Sequence, residues 1–263
     1  MKELIVITVK GVFRDRVFRG IAVSALFFLL IPSVSSLSMR QVVELAITLS
    51  LSLTSFNLLL LSIFLGSASL WHDMERRYSF SVLGLPIKRS SYVLGKFLGI
   101  SAFILLASVV LGAVACLVIG HTAALYPPQR PVVWSNILVA LFFMALKYVL
   151  LVAVAFLLSS VSTSFFLPIF GTLSVFFVGN SIQEVHDYLQ LTASQDYSPL
   201  IKGMTSALYY VLPNLSAFDL SVNAIYGIAL SGRGSWLTLG YFCIYVALLL
   251  TISATIFSRR ELK

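Results

Sequence analysis

Lys147 lies inside an apolar run, 13 residues past Trp134 and 11 before Leu158. A lysine that deep cannot reach either face of a bilayer by stretching its four-carbon stem. Two readings stay open. It lines a substrate path and attracts an acidic group, or it is paired inside a helix bundle with carbonyls or hydroxyls. Asn57, with Thr54 and Ser55, brings polar side chains into another apolar run and is a candidate for the same path. Interhelical hydrogen bonds worth roughly 1 kcal/mol each account for these residues equally well. Glu184, His186 and Asp187 are of metal-ligating types. Helical spacing sets Glu184 and Asp187 on one face and His186 elsewhere, so a solvated helix explains them without a metal. The sequence has no HExxH, no GxSxG and no paired-aspartate arrangement of an intramembrane protease. A GxxxxGK[ST] phosphate loop is also missing: Gly95-Lys96 is followed by Phe97, with no glycine at the required spacing. No catalytic residue, cofactor or metal is expected in this chain.

The elements that position these residues follow from composition. Apolar residues make up 59% of the 263, charged residues only 11%, and the mean hydropathy is +0.99. A soluble domain carries about twice that share of charge. Apolar runs of about 20 residues recur, each long enough as a helix to cross roughly 30 Å of hydrocarbon. A barrel would instead show segments of about 10 residues alternating apolar and polar, and Ile100 to Ile119 is apolar at nearly every position. The predicted fold class is all-α, a polytopic membrane protein. Cys116 and Cys243 both fall inside apolar runs and read as small packing residues.

Six spans are predicted at about Gly20 to Leu37, Leu45 to Leu70, Phe97 to Gly120, Val133 to Leu158, Phe165 to Asn180 and Trp236 to Phe257. The fifth is short and contains Pro168, so a longer, kinked helix is the alternative. Ahead of the first, Met1 to Arg19 sets Ile5, Val9, Val12 and Phe13 on one helical face among basic residues, the pattern of an amphipathic helix lying on lipid headgroups. Between the fifth and sixth spans, Ser181 to Ser235 is long and mostly polar. Its apolar pieces Leu208 to Leu212 and Ala224 to Leu230 are too short to cross, and they are predicted as outer-surface or re-entrant helices parted by Pro213 and Asn214.

Charge sets the orientation. Lys2, Lys10, Arg14, Arg16, Arg19, Arg76, Arg77, Lys88, Arg89, Lys96, Arg259, Arg260 and Lys263 fall on one side, while the other has only Arg40, Arg130, Lys202 and Arg233. The positive-inside rule then predicts both termini in the cytoplasm. The formal charge of +8 is thereby topology information and not a nucleic-acid footprint.

On that cytoplasmic side, His72 to Gly99 reads HDMERRYSFSVLGLPIKRSSYVLGKFLG. Its charged opening gives way to a short helical stretch, Tyr78 to Leu85, which Pro86 stops; a second helix, with Ser90 or Ser91 available as cap, runs into the third span. A short helix projecting this way offers Phe80 and Leu83 to a groove on a partner, with Glu75, Arg76, Arg77 and Arg89 fixing orientation. The pair Gly95 and Gly99 favours close packing beside this segment.

Glu75-Arg76-Arg77, Leu85-Pro86-Ile87-Lys88-Arg89, Tyr92 and Leu94-Gly95-Lys96-Phe97-Leu98-Gly99 are similar to the coupling segment of type-2 ABC export permeases. Tyr209 to Asp219 resembles the outer loop of bacterial members, and the layout of the whole chain matches; Ser79 departs mildly, where relatives often have threonine. The resemblance implies a transmembrane permease subunit of an exporter, in the bacterial inner or plasma membrane. It further implies pairing with a second permease, an identical copy or a paralogue, and with two cytoplasmic ABC ATPase subunits that carry the ATP-Mg. A secondary transporter or channel, and a membrane scaffold, are the competing classes. All ten acidic residues fall outside the predicted spans, which argues against proton or sodium coupling.

Overall fold

A computed structural model describes residues 20, 23–38, 41–75, 89–128, 130–192 and 199–259. Among these residues every regular element is a helix. A 3-10 helix, Ala25–Leu30, leads into α1, Ile31–Ser35; then come α2, Val42–Glu75, α3, Arg89–Leu125, α4, Trp134–Val161, and α5, Phe166–Thr192. Two shorter helices follow, α6, Pro199–Val211, and α7, Ser221–Tyr226, before the last, α8, Gly232–Arg259. Five helices, α2 to α5 and α8, are long and apolar enough to cross a membrane.

The first predicted span, Gly20 to Leu37, is described only in part. Its described part is a short apolar helix, Leu26–Ser35, which at 1.5 Å per residue reaches only about half the hydrocarbon thickness. The amphipathic helix expected over Met1 to Arg19 lies outside the described residues.

Helix ends differ from the sequence expectation for local reasons. The second and third spans run on to 34 and 37 residues, or roughly 50 to 55 Å at 1.5 Å per residue, well beyond the hydrocarbon. Pro127 and Pro128 follow the end of α3, where neither can continue the ladder. α3 starts at Arg89, so Ser90 and Ser91 stand in its first turn and not ahead of it. α5 is 27 residues long, and Pro168 is its third residue, where the missing N–H would have no intrahelical partner anyway. Between α4 and α5, Ser162 and Ser164 close a tight turn: Ser164 N–H donates to Ser162 Oγ at 3.0 Å, and Ser162 Oγ donates to the Ser164 carbonyl at 2.6 Å.

α4 is the hub. It packs against α2, α3, α5, α7 and α8, and 83% of its most apolar stretch is buried, against 22% for α5 and for α8. Small residues permit this closeness. A side chain at Gly66 of α2 would begin 2.8 Å from Ala155 Cβ of α4. Hydroxyls add cross-links, with Ser159 donating to the Ser67 carbonyl at 3.4 Å and Ser253 of α8 to the Phe156 carbonyl at 3.3 Å. Tyr92 of α3 stacks on Phe257 of α8 at 6.2 Å, so Arg89, Lys96 and Arg259 mark one basic end of the bundle.

Candidate functional site

At the opposite end the chain between α5 and α8 turns back into the bundle. Proline and asparagine break the helix after Val211, and several of the freed polar groups find partners on α5 and α8. Leu215 N–H donates to the Gly179 carbonyl of α5 at 2.9 Å, Asn214 N–H to Tyr241 Oη of α8 at 2.9 Å, and Asn214 Nδ2 to Gln183 Oε1 at 2.7 Å. Tyr245 Oη donates to the Val211 carbonyl at 2.7 Å. Gly179 permits this approach, because a Cβ there would lie 2.6 Å from the Pro213 carbonyl oxygen. Since Gly179 is 13 residues into α5, the loop sits roughly 20 Å from the start of that helix. The segment that the sequence leaves as outer-surface or re-entrant helices thus packs against the middle of α5.

The loop delivers Phe218 into the core, against Tyr241 and Phe242 of α8. Asp219 follows; its Oδ1 accepts the Ser221 N–H at 3.0 Å and opens α7. Farther out, Asn136 near the start of α4 clamps α7 by donating from Nδ2 to the carbonyls of Asn223 and Ile228, at 3.0 and 2.9 Å.

Between loop, α2 and α4 lies a cavity of about 100 Å³, lined by Ser52 and Ser55 of α2, Met144 and Lys147 of α4, and Asp219 and Ser221. Lys147 is 6% exposed. Its Nζ lies 5.5 Å from the ring centre of Phe176, which stacks on Tyr148 at 6.3 Å; Tyr148 Oη shares a 2.5 Å hydrogen bond with Ser55 Oγ. Among the described residues no protein acceptor lies within hydrogen-bond distance of Nζ. The charge of Asp219 reaches Lys147 and Tyr148 without touching them. A buried ammonium held only by a ring face and a distant carboxylate is costly, and it presents three donors to whatever enters the cavity.

The other predicted residues divide. Asn57 is fully buried and already used: Nδ2 donates to the Leu53 carbonyl at 2.8 Å, and Oδ1 accepts from Ser24 Oγ. It does not line the Lys147 cavity. Glu75 is the last residue of α2 and Arg89 the first of α3; Arg76, Arg77, Phe80, Leu83 and Pro86 lie outside the described residues. Gly95 and Gly99 are both buried on α3. His186, expected on a solvated helix, is largely covered instead, its ring stacked on Tyr209 at 4.2 Å. Asp219 and Ser221 are the lining residues that spacing did not single out as a site. The available signal was local: an acid two residues before a serine, five residues past a Pro-Asn break.

Long apolar helices packed around a hub, with an ionisable group inside the bundle, define a multi-pass membrane protein. The chain belongs to the ABC-2 family of transporter proteins, whose family model matches residues 14–262, and is thus an ABC transporter permease. The match runs through the 76–88 connection, the Lys147 cavity and the re-entrant loop alike. No individually curated protein matches the chain.

Proposed function

We propose that this chain is the membrane subunit of an ATP-driven exporter in the cell inner membrane, working as a dimer and coupled to separate cytoplasmic ABC ATPase subunits. The observation that carries the reading is the family match over residues 14–262. In the coupling, Phe80 and Leu83 dock into a groove of the ATPase, Pro86 ends the docking helix, and Glu75, Arg76, Arg77 and Arg89 orient it. The long α2 and α3 that flank this segment support the reading, because rigid helices reaching past the hydrocarbon can carry a push from the ATPase to the Lys147 region. ATP and Mg²⁺ belong to the partner, and this chain needs no cofactor. Both termini face the cytoplasm, the membrane lipid bathes the outward faces, and Lys147 lines the substrate path; nucleic acid has no part.

The test is affinity purification of the chain from a native host with ATPase recovery measured beside it. The wild type should hold an ATPase in a fixed ratio. Glu75→Ala with Phe80→Ala should release it, since a buried aromatic anchor contributes roughly 2 kcal/mol or more to an interface. Equal recovery with fully coupled hydrolysis sinks the docking assignment, and no ATPase with the wild type sinks the exporter class. For topology, single cysteines at Ser90 and Ser231, with Cys116 and Cys243 replaced, should label from opposite faces.

A further inference from the structure

The Lys147 cavity has a cationic floor and an acidic rim. Lys147 Nζ stands about 20 Å along α4 from either helix end, with no protein acceptor among the described residues. Asp219 is exposed, and among the described residues only its Oδ1 is engaged, by the Ser221 N–H. The junction between the 3-10 turn Ser216–Phe218 and α7, from Phe218 to Ser221, forms one wall of the cavity. At about 100 Å³ the space exceeds the roughly 10–15 Å³ that one water requires on this measure.

The two charges limit what can bind. A lone anion that reached Lys147 would have to pass and then sit beside the Asp219 carboxylate. A lone cation on Asp219 would face the ammonium. A group carrying both signs a few bonds apart satisfies both ends and adds no net charge to a poorly solvated place.

We propose that this cavity is a binding site for a small zwitterion, a primary ammonium joined by a short linker to a carboxylate or phosphate. Its acidic oxygens take the Lys147 Nζ–H donors, its ammonium meets the free oxygen of Asp219, and the Ser52, Ser55 and Ser221 hydroxyls line the space between. Free amino acids and ethanolamine-phosphate headgroups of lipids share this chemistry. The inference deepens the reading of Lys147 as part of the substrate path and rests on that reading for transport, whereas binding is measurable without any ATPase.

The experiment uses the purified full chain in detergent, following the thermal midpoint against glycine and glycerophosphoethanolamine, with acetate and ethylammonium as single-charge controls. A second arm compares nanodiscs of phosphatidylethanolamine with nanodiscs of phosphatidylglycerol. The midpoint should rise saturably with a zwitterion and with neither control. A response to free glycine or glycerophosphoethanolamine assigns a soluble ligand; stabilisation only in phosphatidylethanolamine assigns a lipid head. Lys147→Met and Asp219→Asn should each weaken apparent affinity at least tenfold, and if Lys147→Met does not fold, the exposed Asp219→Asn decides alone. An equal response to acetate, no response in either arm, or unchanged affinity in Asp219→Asn overturns the proposal. Zwitterion binding by a chain that recruits no ATPase keeps this site and removes the exporter; ATPase recruitment with no zwitterion response does the reverse.

Discussion

α4 and α8 are both 28 residues long and strongly apolar, yet one is the centre of the bundle and the other its flank. α4 is the more apolar of the two, but apolar character alone does not draw a helix to the centre, because lipid tails solvate leucine as well as another helix does. Polar cross-links are made by both, in α8 through Tyr241, Tyr245 and Ser253, and close approach at small residues is what sets α4 apart. α4 places Ala155 where Gly66 meets it, and sends Asn136, Tyr148 and Ser159 to partners on α7, α2 and the end of α2's span. α8 turns Leu237, Ile244, Leu248 and Ile252 outward. In this protein close approach at small residues marks the centre of the bundle, and hydrogen bonds tie centre and flank alike.

The comparison breaks most visibly at its tightest seams. Gly66→Val puts branched carbon where Ala155 Cβ would stand 2.8 Å away, and Gly179→Val drives into the Pro213 carbonyl at 2.6 Å. Each should lose about 1–3 kcal/mol from overpacking, read as a lowered thermal midpoint in detergent. The two should differ in a second readout. Gly179→Val displaces the re-entrant loop and should expose a cysteine at Phe218 to a water-soluble thiol reagent, whereas Gly66→Val should leave it protected. Stability unchanged in both would mean that the hub is not held by close packing.

Next in size is the clamp between α4 and α7. Asn136→Leu removes two hydrogen bonds to carbonyls, at 3.0 and 2.9 Å, and should cost about 1–2 kcal/mol. The Ile228 carbonyl also has Asn223 Nδ2 at 3.4 Å, which limits the loss. Hydrogen exchange should rise first in Ser221 to Tyr226, with α8 unaffected. Uniform destabilisation of every helix would show that the clamp serves the whole fold.

Smaller still is Tyr148→Phe, which removes the bond to Ser55 while keeping the ring on Phe176. Hydrogen bonds between membrane helices average roughly 0.6 kcal/mol. A double-mutant cycle with Ser55→Ala should return a coupling of about that size, and a coupling near zero would mean that the bond to Tyr148 does not hold Ser55 in the cavity wall.

How much of this is legible in sequence depends on range. The spans come from local hydropathy, so Leu45 to Leu70 and Phe97 to Gly120 land inside α2 and α3, missing only the polar extensions that continue the helical ladder past the lipid. Pro168 reads as a possible break because composition does not tell a first turn from a helix middle. Lys147 announces itself by being charged in an apolar run. Its neighbour Asp219 does not, since 72 positions separate them and only the loop's descent along α5 brings them to one cavity. The descent turns on Gly179, an ordinary residue until the Pro213 carbonyl is seen against it. Asp219 leaves the argument from acid-free spans intact, because it stays exposed on a loop at the rim of the Lys147 cavity.

The outward stripe of α8 sharpens the comparison with the smallest expected effect. Leu237, Ile244 and Leu248 fall 7 and 11 positions along one helix face, and Ile244 is 72% exposed. If lipid covers this stripe, Ile244→Ala only exchanges one apolar surface for a smaller one in an apolar solvent, leaving no cavity behind. Surface changes of this kind stay within about 0.5 kcal/mol, so the thermal midpoint should stay within error at any protein concentration. If a second copy covers it, the same truncation opens a void in a packed interface and should cost as a core substitution does, about 2–5 kcal/mol. The cost would then grow as the protein is diluted, because dissociation is concentration-dependent. α8's burial of only 22% in the single chain makes the first outcome the expected one. A dilution-dependent loss for Ile244→Ala, matched by a fall in the dimer fraction in native mass spectrometry, would move α8 from the lipid flank to a subunit seam.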